Sequence, residues 1–247
     1  MSCRPIYEPR TRAKEYSDLA INIYSGCNHG CKYCYARQMF NRYHPTENFA
    51  DVKPREGIVE AVKNQLSGGK YKGKKIMLCF MCDPYPAEID TTPTREIIKL
   101  IKTAGANVSI LTKGGMRAER DFDLYGEDDS FGSTLTSADT DKSLEWEPKA
   151  AEPLSRIQAI VEAHEVGVKT WVSLEPVIST QDAIGFVTDM HRHVDLWKVG
   201  RWNYDSRANE IDWGRFGRNI EGILKILKCD YYIKDDLRKE MEHANMD

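Results

Sequence analysis

The sequence predicts an α/β protein built as a partial (β/α)6 barrel, TIM-like in plan, with a C-terminal helical extension. Three observations predict this fold: six segments of strand character, helical segments in most of the intervals between them, and a length of 247 residues that suits one large domain. Alternating strands and helices indicate a parallel sheet with right-handed crossovers. We expect residues 1–204 to form the barrel with its N-terminal lead-in, and residues 205–247 to pack on it.

The predicted strands differ in how their apolar residues are arranged. Residues 19–26 alternate apolar and polar side chains and end at Gly26, which is typical of a half-buried strand. Residues 75–85 are a continuous apolar run closed by Asp-Pro, as expected for a strand buried on both faces. The other predicted strands are residues 106–115, 130–139, 168–178 and 195–203.

Helical spacing of apolar residues marks the intervals. Residues 93–105 begin with Pro and end with Gly, the usual asymmetry of helix ends. The acidic, glycine-bearing stretch at 120–132 predicts an exposed loop with one turn of helix instead. The remaining predicted helices are residues 55–66, 153–167, 180–194 and, in the extension, 212–228.

Composition narrows the class of protein. Apolar residues make up 41% and charged residues 30%, as in ordinary soluble proteins. Residues 1–20 lack the apolar run of a signal peptide and no segment is long enough to span a membrane, so we expect a cytoplasmic protein with no membrane partner. The net charge of -3 gives no global attraction to nucleic acid, which leaves local basic patches. The N-terminal candidates are Arg4, Arg10, Arg12 and Lys14.

Three of the seven cysteines lie within eight residues, in CNHGCKYC. An odd number of cysteines without an export signal favours reduced thiols that bind metal or react. Cys27, Cys31 and Cys34 are too close for ordinary disulfide pairing and one ligand short of a tetrahedral zinc site. Three thiolates can instead hold three irons of a cubane cluster and leave the fourth iron open. A zinc knuckle without its fourth ligand, or three incidental thiols, are the alternatives.

The CNHGCKYC loop, following a predicted strand, resembles the CxxxCxxC signature of the radical S-adenosylmethionine superfamily. The resemblance implies that Cys27, Cys31 and Cys34 bind a 4Fe-4S cluster and that the open iron chelates S-adenosylmethionine. It further implies reductive cleavage of that cofactor to a 5'-deoxyadenosyl radical, which abstracts hydrogen from the substrate. The aromatic Tyr33 before the third cysteine is usual in the superfamily and is expected near the cofactor.

A finer resemblance covers roughly residues 5–204. The segments that carry it are YCYA, CDPYPAE, LTKGG, EWEP, RIQAIVEAHEVGVKTWVSLEPVI and KVGRWN, with YYIKDDL as a weaker continuation. They resemble spore photoproduct lyase and its "DNA repair photolyase"-type relatives, a subgroup that contains many members of unknown substrate. The resemblance therefore indicates chemistry better than substrate.

The subgroup resemblance assigns further site residues. It implies a radical-transfer role for Tyr35 and a contact between Lys113 and the methionyl carboxylate of the cofactor. Thr134 and Thr136, placed on one face of the fourth strand, are expected to hydrogen-bond the cofactor. Glu175, where the fifth strand meets its loop, is expected to touch ribose or substrate or else to cap the loop.

The CDPYPAE segment departs from the expected pattern. The GGE element that usually receives the methionyl amine is absent, and Asp83, Tyr85 and Glu88 are candidate polar contacts in its place. The lyase uses a cysteine on this strand as hydrogen donor, but neither Cys79 nor Cys82 is in register with it. Cys82 lies nearer the carboxyl end of the strand and is the predicted catalytic thiol.

The predicted function is hydrogen abstraction from a nucleic-acid base, in repair of a thymine-derived lesion or rearrangement of a modified base. The aromatic and basic segment 200–207 and the N-terminal arginines favour this hypothesis. The alternatives are radical chemistry on a small molecule or peptide, favoured by the mild negative charge, and a non-catalytic iron-sulfur protein. Expected partners are an external electron donor such as flavodoxin or ferredoxin, and DNA. No helix stands out as a partner-binding helix, so the sequence does not predict an oligomeric state.

Overall fold

The computed structural model describes residues 4–203 and 205–243. Its main sheet is parallel throughout and has the strand order β1-β4-β5-β6-β7-β8-β9. A second, two-stranded sheet pairs β2 with β3 antiparallel. The strands are β1 (Ala20–Ile21), β2 (Tyr24–Ser25), β3 (Lys53–Pro54), β4 (Lys75–Leu78), β5 (Asn107–Thr112), β6 (Ser130–Thr134), β7 (Lys169–Leu174), β8 (Leu196–Val199) and β9 (Tyr231–Ile233).

Helices cover the outer face of the main sheet. Apolar residues of these helices, such as Val62, Ile98 and Ile160, are fully buried. The core therefore lies between the sheet and the helices. The helices are α1 (Tyr35–Tyr43), α2 (Ile58–Leu66), α3 (Thr92–Thr103), α4 (Thr140–Trp146), α5 (Pro153–Glu165), α6 (Thr180–Met190), α7 (Trp213–Ile226) and α8 (Asp235–His243). None of the helices in the described ranges is long and apolar enough to cross a bilayer.

The predicted partial barrel is confirmed, but the main sheet has seven strands and not six. All six predicted strands are present, each shorter than expected. The seventh, β9, lies in the extension and pairs with β8, with Ile233 opposite Val199. The extension therefore combines α7 and α8 with a strand that continues the barrel. A strand of three residues offers too little periodicity to be recognised in the sequence.

The acidic stretch at 120–132 contains the predicted turn of helix, in Gly115–Leu124, and residues 126–128 are exposed, but it is not exposed throughout. Asp121 and Asp129 are fully buried. Asp121 pairs with Arg95 and Asp129 with Lys102. The Asp129 carboxylate also accepts the backbone N–H of Val108 at 2.7 Å. These partners satisfy the buried charges, which allows an acidic segment to pack against the sheet.

The chain segment before β1 bridges the two edges of the open barrel. At one edge, Tyr7 forms an antiparallel bridge with Ala20 of β1. At the other edge, the Tyr232 hydroxyl of β9 donates to Glu15 at 3.2 Å. Lys198 of β8 donates to the Glu15 carbonyl at 3.0 Å. The segment therefore closes the gap that a partial barrel leaves between its first and last strands.

Gly132 makes room for an indole in the barrel interior. A Cβ at this position would lie 2.3 Å from a ring atom of Trp171, on the neighbouring strand β7. We expect Gly132→Ala to lower the free energy of unfolding by about 1–3 kcal/mol, the usual cost of overpacking a buried site. Chemical denaturation measures this change. Gly185→Ala, where a Cβ meets nothing within 4 Å, is the control, and equal stability of the two variants would contradict the prediction.

Candidate active site

A cavity of about 740 Å³ opens at the carboxyl ends of the parallel strands. This volume lies within the range of roughly 300–1,000 Å³ that is usual for ligand and cofactor sites. In barrels of parallel strands, the loops at this end carry the working residues. The strand-end residues that line the cavity are Cys79, Cys82, Asp83, Thr112, Lys113, Thr134, Ser173, Glu175, Arg201 and Lys234.

The cysteine loop is held at several points along one wall of the cavity. Its Cys27 N–H donates to the Phe49 carbonyl at 2.8 Å. Gly26 has φ of 82°, and a Cβ there would lie 2.4 Å from that same carbonyl oxygen, so the position requires glycine. The Asn28 side chain donates to the Ala87 carbonyl at 2.6 Å. These bonds fix the loop against the segments that follow α1 and β4.

The three thiols of this loop line the cavity together. Cys31 is buried, Cys27 and Cys34 are half-buried, and all three are free of disulfides. Burial raises the pKa of Cys31 to about 12 and that of Cys27 well above its usual value. A thiol in such surroundings loses its proton readily only when a metal binds the sulfur, because the charge of the metal stabilises the thiolate.

The donor set suits a cluster better than a single ion. Across residues 4–203 and 205–243, no three His, Cys, Asp or Glu side chains are close enough together to hold one metal ion. A cubane makes a different demand, because each cysteine binds its own iron and the three sulfurs stay apart. Cys27, Cys31 and Cys34 fit this demand, as three free thiols on one fixed loop.

Asp83 links the cysteine loop to strands β4 and β5. Its carboxylate accepts from the Thr112 hydroxyl at 2.6 Å and from the backbone N–H groups of Tyr85 and Lys113 at 2.8 and 2.9 Å. His29 Nδ1 lies 3.5 Å from the same carboxylate. Burial disfavours the charged form, but the neighbouring His29 and these hydrogen bonds hold the Asp83 pKa below its usual value. Asp83 therefore positions neighbouring groups, and a direct contact with cofactor remains a prediction.

A buried ion pair between Arg156 and Glu147 lies near Lys113, with Tyr33 between them. Arg156 and Glu147 are almost completely buried and pair at 2.5 Å. The Tyr33 hydroxyl donates to Glu147, and the Tyr33 ring stacks on Trp146. Lys113 Nζ lies 5.4 Å from the centre of the Tyr33 ring. Burial would raise the pKa of Glu147, but the charges of Arg156 and Lys113 hold it below its usual value. Tyr33 thus connects a fixed charge pair to the cavity lysine.

Glu175 is the centre of a second polar network. One carboxylate oxygen accepts from Arg12 at 2.8 Å. The other accepts from the Tyr16 hydroxyl at 2.8 Å and from Lys234 at 2.5 Å. Gly200 leaves room for this network, since a Cβ there would lie 2.9 Å from the Glu175 carboxyl carbon. Glu175 joins the N-terminal segment to β7 and β9, which agrees with a structural role; contact with ribose or substrate stays a prediction.

The structure brings most of the predicted site residues together, but Tyr85, Glu88 and Thr136 do not line the cavity. The predicted site residues that line the cavity are Cys27, Cys31, Tyr33, Cys34, Tyr35, Cys82, Asp83, Lys113, Thr134 and Glu175. Thr136 is buried beyond the end of β6 and does not line it. The expectation that Thr134 and Thr136 share a strand face is wrong, because β6 ends at Thr134. Their roles, and those of the others, remain predictions.

Sequence reasoning missed the residues that support the site from a distance. Glu147 and Arg156 lie within segments that carry the family resemblance, but neither was assigned a role. Lys234 follows a strand that the sequence did not predict. Arg12, counted in a basic patch, is paired with Glu175 and Asp236. Arg12 lies 163 residues from Glu175 in the chain. Glu147 and Arg156 are closer in sequence, but Glu147 follows α4 and Arg156 lies within α5, so no local pattern reveals either pair.

In the described part of segment 200–207, Trp202 and Arg207 do not form the open stacking surface that the composition suggests. Trp202 is buried, with its ring edge-on to Trp146 at 5.2 Å. Arg207 covers the Trp146 ring at 4.4 Å and pairs with Asp205 at 2.6 Å. These residues therefore stabilise the fold beside the cavity. Tyr204 lies outside the described residues.

Residues 21–181 match the radical SAM superfamily. The chain belongs to this superfamily. The match begins within β1, contains the cysteine loop and extends past β7 of the barrel. Members of the radical SAM superfamily use a 4Fe-4S cluster and S-adenosylmethionine, and these are the cofactors of this chain. The cysteine loop provides three free thiols for the cluster.

Curated relatives share part of their length with the chain. An uncharacterized protein of Methanocaldococcus jannaschii is 32% identical, over 71% of this chain and 65% of the relative. Another, from Acidianus two-tailed virus, is 30% identical over 66% of this chain and 58% of the relative. The chain thus spans less than two thirds of either relative.

Solved structures share the fold at low sequence identity. Spore photoproduct lyase complexed with dinucleoside spore photoproduct superposes with a TM-score of 0.69 and 12% identity, over 92% of this chain and 79% of the lyase. Streptococcus suis SuiB bound to S-adenosylmethionine gives a TM-score of 0.62 and 12% identity, over 87% of this chain and 49% of SuiB. At such identities the likeness establishes the fold alone.

Lys113 is predicted to bind the carboxylate of S-adenosylmethionine. A charge-assisted bond of this kind contributes about 1.5–3 kcal/mol, so Lys113→Met should raise the cofactor Kd roughly 10- to 100-fold. Anaerobic equilibrium dialysis of the reconstituted protein measures this Kd. Lys63→Met is the control, since Lys63 is exposed on α2, where it pairs with Glu60. An unchanged Kd for Lys113→Met would remove Lys113 from the cofactor site.

Proposed function

We propose that the protein is a radical SAM enzyme that abstracts hydrogen from a nucleic-acid base, either to repair a thymine-derived lesion or to rearrange a modified base. The observation that carries this proposal is the charge of the cavity, which is opposite to the net charge of the chain. The lining contains six arginines and lysines and two carboxylates in the described part of the chain. The basic residues are Arg10, Arg12, Arg42, Lys113, Arg201 and Lys234.

Three of these cations are available to an anionic ligand. Arg10, Arg42 and Lys113 form no ion pair with a carboxylate within residues 4–203 and 205–243. Arg10 and Arg42 are exposed at the cavity rim, and Lys113 lies deeper. If Lys113 binds the cofactor carboxylate, the two arginines remain for the substrate. Arginine at an open rim suits phosphate, which its guanidinium can bind in a bidentate manner.

Helix α1 places large apolar side chains beside these arginines. Tyr35, Met39 and Tyr43 repeat every four residues and so share one face of the helix. They are 44%, 47% and 70% exposed. Tyr35 and Met39 line the cavity, and the Arg42 guanidinium lies 6.0 Å from the centre of the Tyr43 ring. Exposed aromatics next to arginine are typical of surfaces that stack single-stranded bases.

The fold comparison supports the same substrate class. Spore photoproduct lyase, whose structure contains a dinucleoside spore photoproduct, shares most of its length with this chain. The superposition with SuiB bound to its precursor peptide SuiA covers only half of the SuiB chain. When bound, the cluster and S-adenosylmethionine supply a hydrogen-abstracting radical, with an electron from a donor such as flavodoxin or ferredoxin. The residues of this chain orient the substrate and exclude water from it.

Oligonucleotide binding tests the proposal directly. We expect anaerobically reconstituted protein to bind a fluorescent single-stranded DNA, with an affinity that falls steeply as salt increases, because phosphate contacts release counterions. Tyr43→Ala should weaken binding by about 1–3 kcal/mol, roughly 5- to 100-fold, if the ring stacks on a base. Fluorescence anisotropy at several salt concentrations measures both effects.

The controls separate nucleic-acid recognition from simple charge attraction. Arg192→Ala should leave binding unchanged, because Arg192 is exposed before β8, at the opposite end of the barrel. A poly-glutamate peptide at equal charge should not compete. No detectable binding at low salt, or equal competition by the peptide, would overturn the proposal. Turnover is then examined by digesting treated DNA and identifying modified nucleosides by mass spectrometry.

A further inference from the structure

A histidine lies inside the cysteine loop, between the first two predicted cluster ligands. His29 is only 2% exposed, and it lines the cavity together with the three loop cysteines. Its two ring nitrogens face different partners. Nε2 lies 2.9 Å from a guanidinium nitrogen of Arg117, and Nδ1 lies 3.5 Å from a carboxylate oxygen of Asp83. A buried side chain thus connects the loop to two charged groups outside it.

The contact with Arg117 decides which ring nitrogen of His29 carries the hydrogen. Guanidinium nitrogens can only donate hydrogen bonds, so Nε2 accepts from Arg117 with its lone pair. The hydrogen of the neutral imidazole is then on Nδ1, the nitrogen that faces Asp83. Arg117 is held in turn, because its Nε donates to the Tyr85 carbonyl at 3.1 Å. The ring is therefore fixed in one orientation from both sides.

Two routes join His29 to Lys113, the lysine predicted to bind the cofactor. The Asp83 oxygen that faces Nδ1 of His29 also accepts the backbone N–H of Lys113, at 2.9 Å. The second route uses the segment before α5. There, the Lys149 N–H donates to the His29 carbonyl at 3.0 Å, and two residues later the Ala151 N–H donates to a carbonyl at 2.8 Å, that of Lys113. The loop and the lysine are thus held to the same two supports.

S-adenosylmethionine requires two anchors at a fixed separation in this cavity. One is the open iron, whose place the cysteine loop sets, and the other is the Lys113 ammonium. A rigid connection between the two anchors reduces the conformational freedom that is lost when the cofactor binds. Since His29 belongs to the loop and faces the carboxylate that holds Lys113, its ring can provide this connection.

We propose that His29 is a positioning residue that fixes the cysteine loop relative to Lys113 and thereby raises the affinity for S-adenosylmethionine. The ring acts through Asp83 and the Lys113 backbone, and Arg117 holds it in the orientation that this requires. The inference rests on the predicted contact between Lys113 and the cofactor, and it does not depend on a nucleic-acid substrate.

A double-mutant cycle tests whether His29 acts through Lys113. We expect His29→Ala to raise the Kd for S-adenosylmethionine roughly 2- to 12-fold, the usual effect of losing one hydrogen bond. In a Lys113→Met background the same substitution should have no further effect, because no lysine is left to position. Anaerobic equilibrium dialysis at equal iron content measures all four proteins. An unchanged Kd for His29→Ala, an unchanged Kd for Lys113→Met, or additive effects of the two would overturn the proposal.

A ligand with a single anchor separates positioning from damage to the cluster. Cyanide can bind the open iron without reaching Lys113, so His29→Ala should leave the cyanide Kd unchanged, as measured by electron paramagnetic resonance of the reduced cluster. Equal weakening of cyanide and S-adenosylmethionine would overturn the proposal. His29→Asn should recover most of the cofactor affinity, because its amide nitrogen replaces Nδ1 and can still donate towards Asp83. His191→Ala is the control, since His191 follows α6 and contacts the Thr188 carbonyl.

A second variant keeps the test decisive if His29→Ala does not retain iron. Arg117→Met leaves the sequence of the loop intact and removes the donor to Nε2 of His29. It should raise the Kd for S-adenosylmethionine by the same roughly 2- to 12-fold, and again only while Lys113 is present. An unchanged Kd would then overturn the proposal. If the oligonucleotide experiments fail while these succeed, the substrate class is wrong and the positioning role of His29 stands.

Discussion

Replacing Cys31 with alanine is expected to eliminate formation of 5'-deoxyadenosine from S-adenosylmethionine. Cys31 is the most buried of the three loop cysteines and lies between the other two in the sequence. A cubane held by Cys27 and Cys34 alone would leave two irons without protein ligands, so we expect the cluster to be lost and not merely altered. Iron and sulfide analysis after anaerobic reconstitution, followed by chromatography of the nucleoside products, measures both consequences.

The control for this substitution is another free cysteine. Cys229→Ala should reconstitute and cleave S-adenosylmethionine like the wild-type protein, because Cys229 lies beyond α7 and away from the cavity. Circular dichroism checks that both variants are folded. Full iron content and product formation in Cys31→Ala would contradict the cluster assignment. Zinc in place of iron in the wild-type protein would contradict it for the whole loop.

The cysteine loop could be predicted from the sequence because its ligands are local. Cys27, Cys31 and Cys34 occupy eight consecutive residues, so their spacing alone indicates that they can bind one cluster. The same holds for Lys113, which the family resemblance places at the end of a recognisable strand. A site whose residues are neighbours in the sequence can therefore be recognised from their types and spacing.

The supporting networks could not be predicted, because tertiary contacts create them. Glu175 meets Arg12 and Lys234 only after the barrel has closed, and its partner Arg12 lies 163 residues away in the chain. Asp121 and Asp129 belong to an acidic stretch whose composition predicts a loop. In the structure, Arg95 and Lys102 pack beside these carboxylates and allow them to be buried. Charge in a sequence predicts exposure on average, and buried partners reverse that expectation.

Glu147→Ala is expected to lower the free energy of unfolding by about 3–5 kcal/mol, the typical effect of removing one member of a buried ion pair. Arg156 would remain buried without its carboxylate, since both side chains are almost completely inaccessible. Urea denaturation of the cluster-free protein measures the change. For comparison, Lys225→Ala removes an exposed lysine that pairs with Glu221 on α7 and should cost about 0–1 kcal/mol, because Glu221 keeps Arg238 as a partner.

A double substitution separates the cost of an unpaired charge from the value of the pair. Glu147→Met with Arg156→Met removes both charges and should destabilise the fold less than Glu147→Ala alone, because no unpaired charge is buried. Cofactor affinity should nevertheless fall in both variants. The Tyr33 hydroxyl would lose its carboxylate acceptor, and the ring beneath Lys113 would no longer be fixed. If the double variant regains stability but not cofactor affinity, the buried pair serves to position Lys113; if it regains both, the pair serves the fold alone.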